Sequence, residues 1–491
     1  MTKAMVRYGN MGLSVLVGIG MFVFWYLWCP HALSYQEQYQ LFLWTWDYFI
    51  ERMSLPGGLA DWIGEFIVQF YYVEWLGALF LALLFVALQW VTARLLPKSY
   101  WLLSIVPVVL LWWLMGDINV LLSLPVAIIL ALALVCIMPR SLSWIDIIVL
   151  PLVYWLIGPV MWLYVIVRAM QLGWKHLWTV GWLVAVQLMA YAWFLPQWPL
   201  QQTMTGLNYY RIPLHYPQLS GYDRDMYELI RQDYLVRNEC WNEIVKRAGD
   251  YQVCTPFWSN CVNLALSQKR LLADRMFDFY QSGEDALIMP RIRDLTSMLP
   301  SAEAFWLLGM VNSAQRYMFD TQESILNGRK SGRCTKRIAE CMIVNGHYHT
   351  AAKQLDLLKK SLFYRSWAEE MEALMADETK INAHPVYGRL RQLRYQENFL
   401  YNYEEIDKMF GLLLMNNTEN KMALDYFLGQ MLLKGNIKGF QQYLGLAQQY
   451  GGYRQMPLGY QDVMRCIQMQ GRVSDSPYAK YAQRMTERRS Q

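Results

Sequence analysis

Long apolar runs follow one another through residues 1–198, and from about residue 222 they give way to shorter amphipathic patterns of helical period. A run of about 20 apolar residues crosses a bilayer as a helix, because lipid offers backbone polar groups no partner. The first run covers Met11 to Pro30 and the second Trp75 to Leu95, ending at Arg94, Pro97 and Lys98. Residues 101–138 break at Met115-Gly116-Asp117 and predict a short pair of spans. Ile145 to Met170 holds Pro151 and Gly158-Pro159, so it reads either as one kinked span or as two short ones meeting at Gly158-Pro159. A last span covers Leu177 to Pro196.

Charge sharpens this picture. Residues 1–198 contain only sixteen Asp, Glu, Lys and Arg, eight of each sign, and the other 67 lie beyond. A charge at the bilayer centre costs about 2.5–3.5 kcal/mol on insertion scales, so an apolar half this poor in charge belongs in hydrocarbon. Positive residues stay in the cytoplasm. Lys3 and Arg7 set the N-terminus inside, and no small-residue cleavage site follows them, so the first span is read as a retained anchor. Arg94, Lys98, Arg140, Arg168, Lys175 and His176 all fall inside only if residues 145–170 cross twice. Seven crossings, favoured over six, put the second half outside, in the periplasm of a bacterial inner membrane.

Between the first two spans lies an acidic, aromatic stretch, Leu33 to Glu74, with six acids and one base, Arg52. Tyr39 to Trp44 and Trp62 to Tyr71 have helical spacing suited to helices lying in the headgroup region. Pro56-Gly57-Gly58 separates them. Glu37 and Asp47 are the candidate catalytic acids. Trp44, Trp46, Arg52 and, after the last span, Arg211 are candidate substrate contacts, with indole faces for sugar rings and cations for phosphate. The competing reading makes the acids solvated or capping groups, Trp44 and Trp46 interface anchors, and Arg52 the ion-pair partner of an acid three or four residues away. Asp117 and Asp146 read as helix caps, and the spans read as free of functional charge.

The second half predicts helix after helix. Arg333 to Leu362 forms a helix pair turning at Asn345-Gly346, Lys421 to Tyr450 another turning at Gly435-Asn436, and residues 256–281 a third. Small residues at helix crossings and Gly at the turn fit tetratricopeptide-like hairpins. The expected architecture is therefore all-α: a polytopic bundle of six or seven spans (1–198), an extended connector (199–221), a tetratricopeptide-like α-solenoid (222–470) and a polar tail (471–491). Such stacks present a groove for a peptide or protein, and Tyr395, Phe399, Tyr401 and Tyr403 are candidates to line it.

The net charge of +5 is spread without a basic block, which argues against nucleic acid. No phosphate-binding loop, nucleophile elbow or zinc spacing occurs. Cys334 and Cys341 share a predicted helix about 10.5 Å apart, too far to bridge, and read as core. Cys240 could pair with Cys254 or Cys261 if this half is outside.

The segment SxPGGLADWIGEFIVQFYY, from Ser54 to Tyr72 after a first span, resembles an uncharacterised Bacteroidota family of multi-span envelope proteins with helical-repeat C-termini. The membrane half is also similar to the GT-C superfamily of polyprenyl-phosphate-sugar-dependent glycosyltransferases. That resemblance implies a catalytic acid soon after span 1, a lipid-linked sugar as substrate and a divalent metal as the conceivable cofactor. In that superfamily the acid often comes as an adjacent pair, and this chain has no such pair near span 1. Two functions compete: a glycosyltransferase acting at the external face, and a non-enzymatic scaffold that recruits envelope proteins.

Overall fold

The computed structural model describes the chain except residues 1–2, 142, 174–175, 211–220, 291–297, 326–328, 396–402, 470–474 and 491. Regular secondary structure among the described residues is helical, apart from a single isolated bridge between Val120 and Tyr210. The chain divides into two compact units. The first comprises Met1–Tyr227 together with Ile325–Gly332 and Lys359–Arg365, and the second the remainder. Two short pieces of the helical half are thus built into the apolar unit.

In the first unit, α1 (Lys3–Val23) ends in a π-helical turn, Phe24–Trp28, and α2 (Pro30–Glu37) follows. Then come α3 (Trp46–Met53), α4 (Gly58–Val68), α5 (Glu74–Leu95), α6 (Ile105–Leu114), α7 (Ser123–Ile137), α8 (Asp146–Ile157), α9 (Met161–Leu172) and α10 (Trp178–Phe194). Among the described residues three stretches have the length and apolar composition of a membrane span: Val6–Trp28, Glu74–Leu95 and Ser143–Leu172, the last made of two helices. Lys98–Leu114, Ser123–Ile137 and Trp178–Phe194 are apolar but shorter. Leu27, Trp28, Leu83, Leu110, Leu152 and Trp193 expose half or more of their surface, which suits a lipid solvent.

Helices α1 and α5 pack around Val17, Phe85, Leu88 and Val91. A polar chain pins them. Ser14 Oγ donates to Gln89 Oε1 at 2.6 Å, and Gln89 Nε2 donates to Asn10 Oδ1 at 2.6 Å and Ser104 Oγ at 2.9 Å. Lipid gives helices no hydrophobic reason to associate, so such bonds help fix which faces meet.

The 145–170 question resolves as a reversal. Asp146 opens α8, yet its carboxylate accepts from Tyr164 Oη at 2.5 Å and from Arg168 Nε at 3.3 Å, both on α9. Along one straight rod residues 146 and 164 would lie about 27 Å apart. The turn is made at Gly158, whose φ of +67° and ψ of −156° belong to glycine alone. Each arm is 12 residues, about 18 Å.

Asp146 Oδ2 also lies 2.7 Å from His176 Nε2, and Arg168 donates to the Met138 and Pro139 carbonyls at 3.1 and 2.6 Å. Asp146 is therefore no simple cap, and the apolar half is not free of buried charge. The base of the hairpin is closed by an Asp–Arg–His cluster that the sequence pattern did not reveal.

The segment from Gln40 to Trp44, expected to continue a helix, is not helical. The amide of Leu41 donates to the Lys330 carbonyl at 2.9 Å and that of Trp44 to the Lys360 carbonyl at 2.8 Å, so backbone from the two inserted pieces takes the place of helical partners. The connector expected to be extended contains a helix, Leu200–Thr205, entered through Pro199. The polar tail likewise carries a helix, Pro477–Ser490.

The second unit is built of short helices in pairs. Leu299–Leu308 packs on Val311–Glu323, and Ile406–Asn416 on Lys421–Lys434. The expected turns occur where predicted: Gly346 has φ +77° and Gly435 φ +72°, and Asn436 caps the next helix by accepting from the Gly439 amide at 3.0 Å. None of the eight cysteines is in a disulfide; Cys261, Cys334 and Cys341 are buried in this unit.

Candidate functional site

The acidic stretch folds as two helices across a tight turn. Thr45 caps α3 by accepting from the Tyr48 amide. Gly57, with φ +91°, starts α4, and its amide donates to the Trp155 carbonyl at 2.8 Å. Trp155 Nε1 returns a bond to the Met53 carbonyl at 2.9 Å. The loop turn therefore rests on the tip of the α8–α9 hairpin. Tyr209 joins them, donating to the Ile157 carbonyl and accepting from the Val160 amide at 3.2 Å.

On α4, Asp61 and Glu65 are four residues apart and share a face, and both are buried. Arg329, from the inserted piece, donates to both: Nε to Glu65 Oε1 at 2.7 Å, Nη2 to Asp61 Oδ1. From α3, Arg52 Nε donates to Glu65 Oε2 at 3.0 Å, and the Tyr48 hydroxyl donates to the same oxygen. Two cations meet two anions, so the cluster is formally neutral. Glu65, the acid that Arg52 Nε meets, lies thirteen residues away in sequence, and the adjacent Glu51 lies 3.7 Å from its Nη1.

Burial pushes the Asp61 carboxyl up to about 6, against the pull of Arg329. Burial also works against the Glu65 carboxylate, but Arg52 and Arg329 outweigh it and hold its pKa below the usual range. Burial raises Tyr48 well above an ordinary phenol, and Glu65 beside it adds to the rise, so it stays a donor.

The two predicted acids do not share an environment. Glu37 ends α2, is buried, and accepts from the Tyr364 hydroxyl at 2.6 Å. The cavity beside it measures 10 Å³, room for no more than one water. Asp47 is exposed in the first turn of α3, where the helix dipole favours an acid. Trp46 is 71% exposed and stacks on Phe49, with ring centres 5.1 Å apart. Trp44 is half exposed, and its Nε1 donates to Gln69 Oε1 at 3.2 Å. Arg211 lies outside the described residues, as do Phe399 and Tyr401. Tyr403 donates to Asp285. Among the described residues no group of three or more His, Cys, Asp or Glu side chains is placed to hold a metal ion.

Sequence reasoning missed Asp61, Glu65 and Arg329 as a set. The i, i+4 acids on an apolar helix were the available signal, since two buried acids on one face require a cation. Which cation could not be read.

A family model described as a family of unknown function, DUF6057, matches residues 5–490. Comparison with the curated proteins and with the solved structures found no match.

Proposed function

We propose, for a chain that belongs to the DUF6057 family of unknown function, that it is a multi-pass inner-membrane protein serving as a non-enzymatic, membrane-anchored helical scaffold of the cell envelope. The observation that carries this reading is how the acidic loop uses its charges. Glu37, Arg52, Asp61 and Glu65 are buried and bonded within the unit, and the space beside Glu37 among the described residues is water-sized. A sugar-lipid site needs a cavity of some hundreds of Å³ with a polar group left free to react.

The same reading takes the α8–α9 hairpin as two short crossings. Its tip meets the acidic loop, while its base gathers Arg168 and His176. The reversal returns the chain to its side of entry, which supports the odd number of crossings that a periplasmic second unit requires. The paired helices of that unit support a divergent tetratricopeptide-like stack that recruits a protein or peptide.

The glycosyltransferase reading keeps one observation in its favour: Asp47 is exposed beside two exposed indoles, Trp44 and Trp46. Complementation of a deletion strain separates the two. Under the scaffold reading D47N and E37Q restore the wild-type envelope phenotype at normal protein levels. Loss of complementation by D47N, with unchanged abundance and unfolding temperature, would reinstate the enzyme. A reporter fused after Gln491 that is active only in the cytoplasm would remove the seven-crossing topology.

A further inference from the structure

The second unit holds an open cavity of 420 Å³ between residues 252–280 and the helix Pro477–Ser490. This is the size of a small-molecule site. Its walls are aromatic: Phe277, Tyr280 and Tyr481 line it, with Phe277 and Tyr481 ring centres 5.0 Å apart. Its charges are unbalanced. Lys480 and Arg484, one helical turn apart, line it against a single acid, Asp278. Asp278 is already engaged by Arg275 at 3.0 Å.

The state of Arg484 is the telling point. Its guanidinium carbon lies 5.0 Å from the Tyr280 ring centre and 6.0 Å from that of Tyr481. Its Nε is buried without a hydrogen-bond partner, and no ion pair satisfies it among the described residues. Every other buried arginine cluster described above is matched to carboxylates. A guanidinium held beside aromatic faces, with donors unspent and an open cavity in front, is prepared for an anion. Lys480 is exposed and likewise makes no ion pair among the described residues. Tyr280 is fixed in place, its amide donating to Gln252 Oε1 at 3.2 Å and its hydroxyl accepting from Arg488 Nη2 at 3.1 Å.

We propose that this cavity binds a small anion-bearing molecule, a phosphate or carboxylate attached to a flat or apolar body. Arg484 and Lys480 take the oxyanion, and Phe277, Tyr280 and Tyr481 take the body. The site lies wholly within the second unit and is independent of how the acidic loop acts.

Calorimetric titration of the full-length protein in detergent micelles tests it, with phenyl phosphate, benzoate and inorganic phosphate as separate probes. Saturable binding of phenyl phosphate or of benzoate is expected, and which of the two binds identifies the source of the anion. R484Q and K480Q each weaken that binding about tenfold. R484K recovers part of the loss, and K438Q, the same charge change on an exposed residue elsewhere, leaves it intact. R484Q must unfold at the wild-type temperature for its loss to count; if it does not, K480Q and K438Q decide alone. No saturable binding by either ring-bearing probe overturns the site, as does binding that K480Q and R484Q leave unchanged. Inorganic phosphate binding as tightly as phenyl phosphate overturns the role of the aromatic wall.

Discussion

Arg329 donates to Asp61 and Glu65 although 268 and 264 residues separate it from them in sequence. One guanidinium supplies both buried carboxylates with a counter-charge, and Arg52 completes the set. Removing one partner of such a group leaves an uncompensated buried charge, which costs about 3–5 kcal/mol. R329M is therefore expected to unfold at a markedly lower temperature in micelles, followed by tryptophan fluorescence. R329M/E65Q should lose less than the sum of its two single changes. A wild-type unfolding temperature for R329M would show that the cluster is not holding the loop.

The hairpin makes a sharper demand on one position. A Cβ on Gly158 would meet Tyr209 Oη at 2.8 Å, and the backbone there lies outside what other residues adopt. G158A is expected to destabilise the unit by roughly 1–3 kcal/mol. Y209F removes the hydroxyl that bridges Ile157 and Val160, so G158A/Y209F should recover the steric part only. Equal stability of G158A and wild type would mean that the reversal at this residue is wrong.

At the other end of the hairpin, D146N and R168M each break the pairing that closes its base. A double-mutant cycle should give a coupling of about 1–3 kcal/mol between them. Additive effects would show that the two side chains do not meet.

Asp425 gives a pH signature in the second unit. It is buried beside Arg270 at 2.8 Å and accepts from the Tyr453 hydroxyl, and burial lifts its pKa from 3.8 to about 6. Between those values the native state keeps a proton that the unfolded chain releases. The contribution of this group to stability is therefore fully present below 3.8 and falls as pH rises toward 6, by up to about 3 kcal/mol. Unfolding midpoints of wild type and D425N from pH 4 to 7 check it: wild type should lose ground to the variant across pH 4–6 and run parallel above.

Thiol reactivity tests burial directly. Cys136, Cys240 and Cys254 are exposed, and the other five cysteines are buried. A membrane-permeant maleimide should add to three thiols of the native protein and to eight after denaturation, without reductant. Fewer than eight in denaturant would reveal a disulfide.

Much of this fold was legible where physics is local. Apolar run length located α1 and α5, Pro56-Gly57-Gly58 marked the break before α4, and Gly346 and Gly435 marked helix turns. Gly158-Pro159 marked the point where residues 145–170 break, and α8 and α9 reverse there. What escaped was set by distant partners. Gln40 to Trp44 has helical spacing, but backbone carbonyls of Lys330 and Lys360 claim two of its amides. Glu37 looked free because Tyr364 lies 327 residues on. The bond from Arg52 to Glu65 was not legible because that acid lies across a turn.

The late position of Arg329 also sets a schedule for biosynthesis. A ribosome adding about 5–20 residues per second needs roughly 13–50 s to travel from Glu65 to Arg329. Through that interval Asp61 and Glu65 have Arg52 as their one cation of the cluster and lack the second that buries them. The apolar unit cannot reach its final form until residue 329 has been made. Chains truncated before residue 329 should therefore retain an open, protease-sensitive loop.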